Sequence, residues 1–181
     1  MKMKMKKTNM ITTTAALVVL ILLTRVPPAA AQSGVMVTGG GTGTFNADLD
    51  GDGDVDGSHF GFGVIIRPNG SARGHFLCQM AGNADFLGLK LMLVEGRVSS
   101  GTINPDGSAT FNGGGSVNLA NGTVFRGIPF TVTVTPGGRF VGSLRLTVIG
   151  VFDGVPGDTF LGNGNYDLPV ELVNSGLISI H

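Results

Sequence analysis

The chain has 181 residues, with 12 Lys and Arg against 12 Asp and Glu, 31 Gly, one Cys and no Trp. Its formal charge is zero, so it carries no excess basic charge that would mark a nucleic-acid or anionic-lipid binder. A single cysteine excludes an internal disulfide, and the scarcity of Trp and Tyr argues against an aromatic sugar-binding platform.

The first element is a targeting segment. Lys2, Lys4, Lys6 and Lys7 precede an apolar run from Ile11 to Leu23, interrupted only by Thr12, Thr13 and Thr14. The run is too short to span a bilayer comfortably, Pro27 and Pro28 end any helix, and Ala29-Ala30-Ala31 provides the small residues of a cleavage site. Residues 1–31 therefore read as a signal peptide with a signal helix, cleaved after Ala31, and residues 32–181 as one exported domain. An uncleaved anchor is the competing reading; with cleavage, no membrane insertion is expected. Loss of the segment removes five of the 12 basic residues, including Arg25, and no acidic one, which leaves a net charge of −5. The expected location is extracellular, periplasmic or at the cell surface. The fold must then be held without disulfides, by packing and hydrogen bonds, with a metal as an optional addition.

Next comes Asp48-Leu49-Asp50-Gly51-Asp52-Gly53-Asp54-Val55-Asp56, five carboxylates at alternate positions. In a calcium loop of the EF-hand kind, side chains at positions 1, 3 and 5 bind, Gly at 6 allows a sharp turn, 7 gives its carbonyl and 9 acts through water. Asp48, Asp50, Asp52, Gly53, Asp54 and Asp56 fill those places. Position 12 is His59, where a bidentate acid belongs, so a weak site is expected, with Kd on the order of 10⁻⁴–10⁻³ M. The alternative is an acidic turn that binds nothing. Crowded carboxylates repel by about 1 kcal/mol per close pair even in water, which favours a cation. Calcium is the expected cofactor, held by Asp48, Asp50, Asp52, Asp54 and Asp56.

Over Asp48 to His59 the sequence resembles dockerin repeats and thrombospondin type 3 repeats. A dockerin loop is followed by a helix, whereas Phe60-Gly61-Phe62-Gly63-Val64-Ile65-Ile66 continues with period two. The loop therefore reads as a metal-clipped connection between the first two strands.

β-Branched runs then alternate with the turn clusters Pro68-Asn69-Gly70, Pro105-Asp106-Gly107, Asn121-Gly122 and Pro136-Gly137-Gly138. Strands are predicted near 35–45, 58–67, 72–80, 87–99, 109–118, 123–135 and 139–151, with one or two more within 159–180. In the best of them Ile128, Phe130, Val132 and Val134 share one face, as do Phe140, Leu144, Leu146 and Val148. The fold class is all-β, a single antiparallel domain of about 8–10 strands. One dry face per strand favours barrel-like closure over a β-sandwich. The glycines between apolar runs read as many tight turns.

The remaining candidates for chemistry are few. Cys78 between Phe76 and Met80 reads as a core residue. His75, three residues before it, points to the opposite face and cannot form a dyad with it. Glu95 and Arg97 share a face, as an exposed strand pair does. His59, Asp153, Asp158 and Asp167 have no spacing that requires them to meet. Asn69-Gly70-Ser71 and Asn121-Gly122-Thr123 match a glycosylation pattern but read as hairpin turns. No catalytic residue is expected.

A longer resemblance rests on Phe60-Gly61-Phe62, Asn69-Gly70-Ser71 with Gly74-His75-Phe76, Gly101-Thr102-Ile103-Asn104, Phe130-Thr131-Val132-Thr133-Val134, Gly157-Asp158-Thr159-Phe160 and Ser175-Gly176-Leu177-Ile178-Ser179-Ile180-His181. On these segments the chain resembles uncharacterised secreted bacterial β-domains, some labelled post-COAP-1. The resemblance implies an exported or surface accessory domain and brings no catalytic residue with it. The expected function is a non-catalytic, calcium-stabilised surface domain. A carrier for a small apolar ligand and a hydrolase or isomerase are the alternatives, and an interior cluster of His75, Glu95 and Arg97 would favour the last.

Overall fold

A computed structural model describes residues 33–46, 56–81 and 92–181. Signal segment 1–31, Asp48, Asp50, Asp52, Asp54 and the start of the predicted strand 87–99 lie outside the described residues.

Among the described residues nine strands form one antiparallel sheet: β1 Val35–Thr44, β2 Gly57–Ile66, β3 Ser71–Ala81, β4 Met92–Ile103, β5 Ala109–Leu119, β6 Val124–Thr135, β7 Ser143–Val148, β8 Tyr166–Asp167 and β9 Glu171–Ile180. Strands β1 to β7 pair in chain order, β9 pairs with both β1 and β7, and the hydrogen-bonded ring is thereby closed. The short β8 adds to the far end of β7. The β7–β9 seam has only two ladder pairs, Ser143↔Leu172 and Leu144↔Glu171. It is lengthened by the Val173 amide donating to the Gly142 carbonyl at 2.9 Å and the Phe140 amide to the Val173 carbonyl at 2.7 Å.

Period-two alternation turns one apolar face inward all round the ring. Phe76, Cys78 and Met80 of β3, Phe130, Val132 and Val134 of β6, and Leu144, Leu146 and Val148 of β7 are all buried. Phe62, Phe76, Phe111 and Phe130 pack with ring centroids 5.3–6.4 Å apart. Small residues stand opposite the large ones. A Cβ on Gly39 would strike the Phe62 ring, and one on Gly113 would come within 2.6 Å of the Phe130 ring.

One expectation needs correction. The strand predicted over 139–151 is confined to Ser143–Val148, and Phe140 does not share the inward face of Leu144. Its amide is drawn to β9, its φ is 59°, and its side chain is 58% exposed with the Arg139 guanidinium 4.6 Å from the ring centre. Glycines inside the predicted strands 35–45, 87–99 and 109–118 mark places where the backbones of neighbouring strands come too close for a Cβ. Gly41 and Gly176 face one another across β1–β9, and Gly96 and Gly115 across β4–β5. These are the corners at which a short sheet bends enough to close.

Candidate functional site

The acidic connection joins β1 to β2, as its sequence context implied, and its base is pinched where the Phe45 amide donates to the Asp56 carbonyl at 2.9 Å. Asp56, the last member of the aspartate series, is fully buried at the entry to β2. Alternation from that point turns Asp56 and Ser58 inward and His59 outward. The twelfth loop position is therefore a strand residue on the outer face, paired with Thr42 and Gln79 on the neighbouring strands. Strand formation after Asp56 is what removes it from the loop.

The connection from β7 to β8, residues 149–165, is held by carboxylates accepting from backbone amides. Asp153 accepts from Gly162 at 2.8 Å and Gly164 at 3.0 Å. Asp158 accepts from Gly154 at 2.9 Å, Phe160 at 3.0 Å and Asp167 at 3.2 Å. Asp167 in turn accepts from the Thr147 hydroxyl at 2.8 Å and the Asn163 amide at 2.7 Å, with Arg145 at 3.7 Å. Asp153, Asp158 and Asp167 thus do come together, but as a loop-ordering network, and His59 is not part of it.

Tyr166 links this network to the acidic connection. It is 1% exposed and its hydroxyl donates to the Pro156 carbonyl at 2.9 Å. Burial pushes the phenol up, and the negative charges of Asp158 and Asp56 push it further in the same direction. The Tyr166 phenol therefore feels both the loop network and the last aspartate of the series. Among the described residues no group of three or more His, Cys, Asp or Glu is disposed to hold a metal ion. Of the five proposed ligands, Asp56 alone falls among those residues.

One polar cluster was invisible from sequence. Glu171, at the start of β9, is 2% exposed and lies inside the ring, where the Ser58 hydroxyl is 2.7 and 2.8 Å from its two oxygens. Its carboxylate occupies the space a side chain on Gly43 would take. Cys78 is sealed nearby, its thiol pushed up by burial and by the charge of Glu171, with Ser58 opposing. A thiol held protonated in this way is a poor nucleophile.

His75, Glu95 and Arg97 do not converge in the interior. They project from the outer face of β3 and β4, where His75 lies opposite Arg97. The two glycosylation-like triplets are turns: Asn69 Oδ1 accepts from the Ser71 amide at 3.0 Å, and Asn121 Oδ1 from the Thr123 amide at 2.9 Å. No family model, no curated protein and no solved structure matches this chain.

Proposed function

We propose that this chain is a non-catalytic exported β domain, serving at or beyond the cell surface, whose β1–β2 connection is clipped by calcium at Asp48, Asp50, Asp52, Asp54 and Asp56. The observation that carries the non-catalytic reading is the filled interior. Phe62, Phe76, Phe111 and Phe130 occupy the centre of the ring, and His75, Glu95 and Arg97, the cluster a hydrolase reading required inside, face outward. A carrier of apolar ligands would need that same space. The calcium reading is supported by the spacing of the five aspartates and by the buried position of Asp56 at the base of the connection. The likeness to secreted bacterial β-domains of the post-COAP-1 kind supports export.

Bound calcium adds stability by mass action. At about 2 mM ion and the expected weak affinity the gain is about 0.6–2 kcal/mol, or roughly 1–7 °C in Tm. Thermal melts in calcium and in chelator measure it directly. The double variant Asp50→Asn/Asp52→Asn is expected to melt like the chelated protein under both conditions. Superimposable wild-type curves would remove calcium from the account.

A further inference from the structure

We propose that the outer face of β3–β6 is a binding groove for a small hydroxylated carboxylate, a uronic acid sugar being the simplest example. The open groove has a volume of about 400 Å³ and is lined by His75, Glu95, Arg97, Ser116 and Arg126. Its floor is backbone: Gly96, Gly114, Gly115 and Gly127. The ladder places these groups in two adjacent rows. Arg97 lies between His75 of β3 and Gly114 of β5, and Ser116 lies between Glu95 of β4 and Arg126 of β6.

Two features shape the groove. A Cβ on Gly114 would meet nothing closer than the Ile128 carbonyl at 3.8 Å, so packing does not require glycine there. The bare position leaves the floor clear beside Arg97, as Gly61 and Gly63 leave the outer face of β2 clear. Gly127 is an extra residue in β6, at φ 70°, placed where Gly115 pairs with Ile128 but Ser116 with Arg126. A bulge of this kind bends the strand and re-aims the neighbouring side chain, here Arg126.

The chemistry of the lining selects the ligand. Arg97 and Arg126 are exposed, and among the described residues neither lies within ion-pair distance of a carboxylate, although Glu95 sits two residues from Arg97 on the same face. Glu95 is instead approached by the Ser116 hydroxyl at 3.4 Å. Guanidinium groups not engaged by an internal acid present planar forks that match an external carboxylate. Glu95 and Ser116 offer an acceptor and a hydroxyl to the hydroxyl groups of the same ligand. Glu95 also cancels one of the two arginine charges, so a monoanion is matched better than a dianion or a polyanion.

Calorimetric titration of the full chain with glucuronate, glucose, acetate and inorganic phosphate tests this. Glucuronate should saturate with Kd on the order of 1 mM. Glucose, acetate and phosphate should each bind at least about tenfold more weakly. Arg97→Gln and Arg126→Gln should each weaken glucuronate by about tenfold or more. Gly114→Leu, which keeps both charges but fills the floor, should abolish binding, and thermal melts of all three variants should stay close to wild type. Absence of saturation in the wild type, or undiminished binding by a folded Arg126→Gln, overturns the assignment. Acetate or phosphate binding as tightly as glucuronate overturns the hydroxy-acid selectivity. Repeating the titration in chelator separates this proposal from the calcium reading, because the groove should bind equally well without the ion.

Discussion

Glu171 shows how one residue can tie stability to pH. Burial pushes its carboxyl up to about 7, against hydrogen bonds from Ser58, whereas in the unfolded chain it titrates near 4.5. The folded protein therefore keeps a proton that the unfolded chain has already released, and the group's contribution is fully present below pH 4.5 and lost as pH rises through about 7. At about 1.4 kcal/mol per pH unit, the interval is worth about 3 kcal/mol. Glu171→Gln retains the shape without the titration. It should match the wild type near pH 4.5 and exceed it by up to about 3 kcal/mol at pH 8, as denaturant unfolding would measure. Parallel pH profiles for the two proteins would show that Glu171 is not the source. The inward side chains of β3 were legible from alternation alone, Cys78 among them. The Ser58–Glu171 contact was not, because the partners are 113 residues apart and meet only through the register of β1 with its two neighbours.

Short-range chemistry sets the turns, and most of it could be read in advance. Asp106 Oδ1 accepts from the Ser108 amide at 2.9 Å and hydroxyl at 2.7 Å, the same device that Asn69 and Asn121 use in their hairpins. The long connection before β8 rests on Asp158. Partial burial alone would raise its carboxyl, but the amides of Gly154, Phe160 and Asp167 and a bond with Asp153 outweigh that and hold it below the ordinary range. Its contribution is therefore present above the unfolded value near 3.8 and lost as pH falls through the lower folded one. Asp158→Ala should cost about 1–3 kcal/mol and leave those three amides exchanging faster, with the β1–β6 amides unchanged. Unaltered exchange at Gly154 and Phe160 would count against this role. The glycine corners were only partly legible: Gly41, Gly96 and Gly115 fell inside predicted strands, but which backbones they bring together follows only from strand pairing. The groove was half legible for the same reason: His75, Glu95 and Arg97 stood out on their strands, while Ser116 joined Glu95 through the β4–β5 register and Arg126 joined them at the bulge at Gly127.

At the scale of the molecule, fold class and strand count followed from apolar alternation between turn clusters, and closure from the need to bury one face of every strand. The identity of the closing strand followed from neither, because β9 must reach past β8 to pair with β1 and β7. Removing residues 171–181 would take away Val173 and Ile178 from the core and leave two edges unpaired. The truncated chain should lose cooperative thermal unfolding and dispersed amide resonances altogether; a sharp melt would show that the open sheet is stable by itself. The seam has a consequence for biosynthesis. A ribosome delivers β1 early and its partner β9 more than a hundred residues later, so no partly made chain can complete the circle. Until that final ribbon arrives, one flank of the nascent sheet is a template for any extended peptide nearby, and protection of that flank is a task for the cell's holding chaperones, outside the reach of the fold itself.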